Sequence, residues 1–277
     1  MQRIDAHQHC WQFDPVRDNW INEEMSVIRR DFMPSDLKPL LGRNDIDGTV
    51  LVQTCQAESD NQFMLQLAAE NNFIKGVVGW VNLQALNIAG RLKFYKDNHP
   101  KMKGFRHVLQ AEPDEQFMLG EGFKRGISLL SYHDFTYDIL IYPDHIKYAS
   151  KLVAEFPEQK FVIDHIAKPY IKNKEIDQWA HDIEELAQYQ NVYCKVSGML
   201  TEADWYGWRT EDFTPFLDVI FHAFGTNRLM YGSDWPVCLL AGGYNRALEI
   251  LQIYLSRFSP EEQGQFFGGN AISFYNL

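Results

Sequence analysis

The 277-residue sequence has little cysteine and no long hydrophobic run. Its four cysteines are widely spaced and include no C-x-x-C pair, so we expect no disulfide framework and predict a cytoplasmic location. No apolar run approaches the roughly 20 residues that cross a bilayer. The first residues also lack the basic segment and apolar stretch of a signal peptide. These absences predict a protein that neither enters nor crosses a membrane.

Basic residues are also scarce, because 26 lysines and arginines stand against 37 acidic residues, for a net charge of -11. Binding to phosphates needs a basic face, so this balance argues against nucleic acid as a partner. The same charge gives no long-range attraction to an anionic substrate. A small neutral molecule suits the composition better.

Short apolar runs that are typical of buried parallel strands alternate with amphipathic stretches along the whole chain. The predicted strands are RIDAHQH, GTVLVQT, GVVGWV, MKGFRH, FTYDILIY, KFVIDH, VYCKVSG and RLMYGSDWP. Eight strands that alternate with helices in a chain of this length predict one (β/α)8 barrel domain, an α/β fold, over residues 1–277. The alternative is an open doubly wound sheet, which usually has a glycine-rich turn after its first strand. Here HQHCWQFDP follows instead.

Polar side chains occur where the predicted strands stop. Side chains alternate between the two faces of a strand, so His7 and His9 should share one face, the barrel interior. Three other strands end in polar residues, namely Arg106 and His107, Asp164 and His165, and Asp234. A lone charge at a strand end is usually solvated, but several that meet at one rim would be costly to bury without partners. Barrel enzymes build their active sites at this end of the strands.

The motifs DAHQHCWQFDP, GFRH, DHIAKP, KVSG and YGSDWPV, with the closing FGGNAISFYNL, resemble the amidohydrolase superfamily along the whole chain. The combination is most similar to the sugar-lactone hydrolases of that superfamily, of the L-fuconolactonase or L-rhamnonolactonase type. H-x-H alone is shared by many amidohydrolases. The resemblance implies a hydrolase that opens a small neutral sugar lactone, with L-fuconolactone as the best single candidate, and a place in L-fucose catabolism. It also allows a homodimer.

The sequence departs from the two-metal members of the superfamily. Those carry a bridging lysine on strand four and a histidine on strand five, whereas here strand four ends in GFRH and strand five in ILIY. The resemblance therefore implies either no required cofactor or one divalent metal. The ligands of a zinc-like ion would be His7, His9, His165 and Asp234.

The resemblance also implies roles in lactone hydrolysis, which needs an activated water, a stabilised oxyanion and a proton for the leaving alkoxide. Asp234 is the predicted base, and His7, His9 and His165 hold a metal or donate hydrogen bonds. Arg106, which cannot act as a base, is predicted to bind substrate, together with His107, Trp11, Trp20, Trp235 and Lys195. For each tryptophan ordinary packing is the simpler explanation, and Lys195 equally fits a stabilising polar layer.

Two other functions stay open at this stage. One is a metal-dependent decarboxylase or hydratase, or a pyrone-dicarboxylate hydrolase, of the same superfamily. An anionic substrate of that kind would need local cations, and the predicted strand ends offer only Arg106, Lys195 and, just past His165, Lys168. The other is a non-catalytic carbohydrate-binding barrel, which would tolerate Asp234→Asn.

Overall fold

A computed structural model describes residues 1–277, and its eight parallel strands form one sheet in sequence order. The strands are β1 (Ile4–Gln8), β2 (Gly48–Val52), β3 (Ile74–Gly79), β4 (Met102–His107), β5 (Thr136–Ile139), β6 (Phe161–Ile163), β7 (Val192–Val196) and β8 (Leu229–Tyr231). The sheet nearly closes into a barrel through a bridge between Gln8 and Trp235. Two backbone hydrogen bonds support that closure, from His9 N–H to the Trp235 carbonyl (2.7 Å) and from Asp234 N–H to the His7 carbonyl (2.8 Å).

Helices follow the strands, and most of them cover the outside of the barrel. They are α1 (Pro34–Arg43), α2 (Glu58–Glu70), α3 (Ile88–Asn98), α4 (Glu121–Leu130), α5 (Ile146–Glu155), α6 (Asp177–Leu186), α7 (Met199–Glu202), α8 (Thr214–Phe224), α9 (Tyr244–Leu255), α10 (Pro260–Gly264) and α11 (Asn270–Tyr275). Each of α4, α5, α6 and α8 turns an apolar stripe inward. The predicted (β/α)8 barrel is confirmed. No helix combines the length and the apolar character needed to cross a bilayer.

Two apolar clusters make up the core. The larger lies between the strands and the surrounding helices and contains 69 buried residues. The smaller lies inside the barrel, where Ile4, Val50, Val162 and Met230 pack with Phe274 of α11. Because α11 belongs to this inner cluster, apolar side chains fill the amino-terminal half of the barrel. Polar side chains occupy the carboxyl-terminal half.

Strands β6 and β8 stop earlier than the predicted runs. β6 ends at Ile163 and β8 at Tyr231, so His165 and Asp234 lie in the turns that follow the strands. All four cysteines are free thiols; three are buried and Cys55 is half-buried.

Candidate active site

The geometry of β1 places two imidazoles inside the barrel. Ile4 and Ala6 belong to the inner apolar cluster, whereas the carboxylate of Asp5 accepts a hydrogen bond from the hydroxyl of Tyr244 on an outer helix. The register of β1 against β2 then shifts between Asp5 and Gln8. Beyond this shift, His7 and His9 both lie within reach of the same polar cluster, and their Nε2 atoms are 3.2 Å apart.

The carboxylate of Asp234 is the point on which the predicted catalytic residues converge. Its Oδ1 lies 3.4 Å from Nε2 of His9, 3.9 Å from Nε2 of His165 and 4.0 Å from Nε2 of His7. All four residues are at most 5% exposed. The structure thus brings together one carboxylate and three imidazoles from β1 and the turns after β6 and β8.

The other ring nitrogen of two of these imidazoles is held by a neighbouring strand. Nδ1 of His9 lies 2.8 Å from the carbonyl oxygen of Val52, so it donates and leaves the lone pair on Nε2. Nδ1 of His165 lies 2.9 Å from Oγ of Ser197. These contacts orient both rings with Nε2 toward Asp234.

Burial keeps the imidazoles of His7 and His165 neutral. It lowers the pKa of His165 to about 4 and that of His7 well below its usual value of 6.5, although Asp234 and Asp164 respectively oppose the shift. Burial raises the pKa of Asp234, but the neighbouring imidazoles of His165 and His9 outweigh it, and the pKa ends below 3.8. At neutral pH the site therefore combines an ionised carboxylate with the uncharged imidazoles of His7 and His165.

Both turns that carry these groups have an uncommon backbone. His165 and Asp234 each have a φ of 55°, and residues 166–168 after His165 are also left-handed. Such conformations cost about 1–3 kcal/mol each in non-glycine residues and cluster at functional sites. Gly198, with a φ of 64°, lies against the His165 ring, where an added Cβ would be 2.6 Å from Nδ1. Only glycine fits there without moving the imidazole.

The distances among His7, His9 and Asp234 fit one metal ion, whereas His165 forms a second possible group with His7 and Asp164. Tetrahedral zinc with ligands at about 2.0–2.2 Å has ligand atoms about 3.3–3.6 Å apart, and the two contacts of His9 Nε2 lie near that range. His7, His9 and Asp234 form one group that could hold an ion. Neutral imidazoles and an ionised carboxylate are the protonation states that metal binding requires.

Arg106 lies beside this set but is largely occupied by protein groups. Its Nη1 donates to Oδ2 of Asp164 at 2.9 Å, and its Nη2 donates to the carbonyl of Gln53. Nη1 also lies 3.3 Å from Nε2 of His7. The guanidinium therefore supplies positive charge next to His7, and the predicted substrate contact stays a prediction.

Lys195 is fully buried and surrounded by acids. Its Nζ donates to Oδ2 of Asp138 at 2.5 Å, lies 3.0 Å from Oδ1 of Asp164 and lies 3.1 Å from Nδ1 of His7. Asp138 in turn accepts from the hydroxyl of Tyr275 in α11. These contacts can use all three ammonium hydrogens of Lys195, which suits the stabilising polar layer and support of His7. The other interpretation, contact between Lys195 and the substrate, stays a prediction.

His107 and the predicted tryptophans contact side chains outside the cluster of His7, His9, His165 and Asp234. His107 contacts Glu112 (2.6 Å) and Trp80 (3.1 Å) outside the barrel wall, whereas its neighbour Arg106 points inward. Trp11 and Trp235 are each 2% exposed and both pack edge-on against Phe32. Trp20, which is 42% exposed, contacts Trp11. Their roles in substrate binding stay predictions.

Two acids of this network, Asp138 and Asp164, were not among the predicted site residues. Asp138 interrupts the apolar run FTYDILIY, and a lone charge within a buried strand was the available signal. Asp164 directly precedes His165, and its position in the sequence indicates only a polar residue at the end of a strand. Both are fully buried, and both are paired with Lys195.

Comparison with known proteins identifies the family. The model of the amidohydrolase family matches residues 4–277, and the chain belongs to that family. An L-fucono-1,5-lactonase of Burkholderia multivorans is 35% identical over 99% of this chain and 96% of its own length.

Solved structures agree with that assignment. An amidohydrolase of Burkholderia multivorans with bound zinc has a TM-score of 0.95 at 36% identity, with full coverage of both chains. A probable 2-pyrone-4,6-dicarboxylic acid hydrolase of Acinetobacter baumannii has a TM-score of 0.79 at 17% identity over the full length of both chains, which is a likeness of fold.

Proposed function

We propose that this protein hydrolyses a sugar lactone, first of all L-fucono-1,5-lactone, to its aldonic acid. The observation that carries the proposal is the convergence of His7, His9 and His165 on Oδ1 of Asp234 at 3.4–4.0 Å. The relatives support the substrate class, since a full-length relative at 35% identity is an L-fucono-1,5-lactonase.

The reaction needs a base that is ionised at neutral pH. The low pKa of Asp234 meets that need, and its carboxylate takes a proton from the attacking water. The tetrahedral intermediate then collapses with cleavage of the bond between the carbonyl carbon and the ring oxygen, and Asp234 returns the proton to the alkoxide that forms on the same molecule. The same carboxylate therefore acts as base and then as acid, as expected for the opening of a cyclic ester.

The oxyanion needs positive charge or hydrogen-bond donors nearby. The guanidinium of Arg106, 3.3 Å from His7 Nε2, supplies a fixed positive charge in a site that burial keeps dry. His7, His9, His165 and Asp234 would hold one zinc ion, and zinc bound there would polarise the lactone carbonyl and acidify water. Zinc is found in the Burkholderia multivorans relative.

The arrangement of cations disfavours a dicarboxylate substrate. Arg106 and Lys195 are already paired with Asp164 and Asp138, so neither offers a free charge to a carboxylate. Lys168, the third predicted cation, lies 3.9 Å from Oε1 of Glu202 and is therefore also next to an acid. A neutral polyhydroxy ring suits this site better.

The test is a panel of substrates assayed with a pH indicator, with and without a chelator. The panel contains L-fucono-1,5-lactone, other sugar lactones of both ring sizes and a pyrone dicarboxylate. We expect the highest kcat/KM for a sugar lactone and a weak dependence on salt. A preference for the dicarboxylate that falls steeply with salt would overturn the proposal. The cytoplasmic location, the absence of nucleic-acid partners and the homodimer stay predictions.

A further inference from the structure

A second charged pair lies at the turn that carries His165 and has no part in the hydrolysis described above. Lys168 is the last residue of the left-handed turn that begins at His165, and Glu202 is the last residue of α7. Their side chains are 18% and 20% exposed, and Nζ lies 3.9 Å from Oε1. Both therefore lie partly buried beside the reacting groups while remaining open to solvent.

Neither charged group makes a hydrogen bond within the protein. A separation of 3.9 Å is an ion pair but is too long for a hydrogen bond. The other neighbour of the Lys168 ammonium is the ring of Tyr142, whose centroid is 5.4 Å away. Partly buried charges without hydrogen-bond partners are costly, whereas the Lys195 pairs within the same barrel close to 2.5 and 3.0 Å.

The pair and the reacting groups share one electrostatic environment. Burial raises the pKa of Glu202 to about 7, Lys168 opposes that shift, and Asp234 adds to it. Lys168 in turn contributes to the lowered pKa values of Asp234 and His165. Lys168 ends the turn that begins at His165, and α7, which Glu202 ends, follows Gly198, which lies against the His165 ring. A substrate whose carbonyl lies between His165 and Asp234 would therefore reach Lys168 and Glu202 with the remainder of its ring.

We propose that Lys168 and Glu202 form the subsite that binds the ring hydroxyls of the lactone. The inference rests on the proposed function and adds the residues that determine its specificity. The Glu202 carboxylate accepts from one hydroxyl, and the Lys168 ammonium donates to a neighbouring one. Hydroxyl groups both donate and accept, so a diol satisfies both charges at once. The ring of Tyr142 beside Lys168 would border this subsite.

This subsite predicts a preference for lactones that carry ring hydroxyls. A site that hydrogen-bonds a substrate hydroxyl discriminates strongly against an analogue that lacks it, because the polar groups of the site are then left unpaired. δ-Valerolactone has the six-membered lactone ring without hydroxyls. It meets Asp234 in the same way but offers nothing to Lys168 or Glu202.

The experiment compares L-fucono-1,5-lactone with δ-valerolactone for the variants Lys168→Met and Glu202→Gln. Each variant should lose about 10- to 100-fold in kcat/KM for the sugar lactone, which is the range of one charge-assisted hydrogen bond. The loss for δ-valerolactone should stay below about threefold. Lys168→Arg, which retains the charge, should recover part of the activity toward the sugar lactone. Lys93→Met and Asp97→Asn remove an exposed ion pair of α3 and serve as controls.

Three results would overturn the inference. Equal losses on both lactones would make the pair a support for the reacting groups, and unchanged kinetics on both would remove it from substrate binding. A wild-type enzyme that opens δ-valerolactone but no sugar lactone would overturn the proposed function, and the subsite with it. Because that last result is seen in the wild type alone, the two failures are distinguishable. Thermal melts of each variant exclude unfolding as the cause of a loss.

Discussion

Nζ of Lys195 lies 3.1 Å from Nδ1 of His7 in the interior of the barrel. Oδ1 of Asp164 lies 3.3 Å from the same nitrogen, so His7 Nδ1 has both a donor and an acceptor beside it. If it donates to Asp164, its Nε2 has a free lone pair and faces His9 as a metal ligand. If it accepts from Lys195, Nε2 carries the proton and acts as a donor. This pair therefore controls whether His7 binds metal or substrate oxygen.

The first prediction concerns Asp234 as the base. Asp234→Asn keeps the shape but cannot accept a proton, so turnover of the sugar lactone should fall at least about a hundredfold. The control is Asp134→Asn, because Asp134 is exposed and also left-handed, with a φ of 54°. Turnover by Asp234→Asn above a tenth of the wild-type value would remove Asp234 from the role.

The second prediction concerns the metal. Zinc added to chelated protein should bind at about one ion per chain, as for an open catalytic site. His9→Asn and His165→Asn should each weaken that binding at least about tenfold, by analogy with losses at metal sites. Binding is measured by titration against a zinc-sensitive dye.

The control for zinc binding is His181→Asn. His181 belongs to an exposed group with Asp182 and Glu185 that could hold adventitious metal. Zinc that is lost in this variant but kept in His9→Asn would place the ion on the surface. Full lactonase activity in a verified metal-free preparation would show that catalysis needs no metal.

The third prediction concerns the buried charges around Lys195. Lys195→Met leaves Asp138 and Asp164 without their shared cation, and breaking a buried pair in this way costs about 3–5 kcal/mol in the free energy of unfolding. Adding Asp138→Asn should recover part of that loss, because burial already raises the pKa of Asp138 to about 6. Urea denaturation of the single and double variants measures both effects. A loss below about 1 kcal/mol for Lys195→Met would contradict this account.

The fourth prediction concerns the pH dependence of stability due to Glu202. Its pKa is about 7 in the folded protein against a usual value of 4.5, so between these values the folded state binds the proton more tightly than the unfolded state. The wild type therefore loses stability relative to Glu202→Gln as pH rises from 4.5 to 7, by at most about 3 kcal/mol.

The measurement is the difference in free energy of unfolding between the two proteins at several pH values. Glu155→Gln removes a more exposed carboxylate and should show a smaller trend. A difference that stays constant from pH 4.5 to 7, or that changes in the opposite direction, would show that Glu202 is not held in this environment.

Much of the architecture could be predicted from local sequence patterns. Apolar runs and amphipathic stretches alternate along the chain, and this period is enough to predict the (β/α)8 barrel. Polar residues at the strand ends also predict the position of the site, because the carboxyl ends of barrel strands meet at one rim. His7, His9, His165 and Asp234 were chosen on that basis, and they lie together.

The partners of the buried charges could not be predicted in the same way. Lys195 and Asp138 are 57 residues apart in sequence, and Lys195 and His7 are 188 apart. Their contact depends on strand register and barrel closure, which no local pattern encodes. From the sequence, Lys195 therefore suits substrate binding and a structural layer equally well, and its three neighbours favour the structural layer.

The order of elements, the barrel and the residue types at its rim are all predictable from the chain alone, because they follow from side-chain periodicity and strand ends. The shift in β1 that brings His7 inward, the left-handed turns at His165 and Asp234, and the approach of Glu202 to Lys168 depend instead on the packed fold. The physical reason is that backbone strain and buried charge are tolerated only where distant parts of the chain compensate for them. The contacts between those distant parts form only once the barrel has closed.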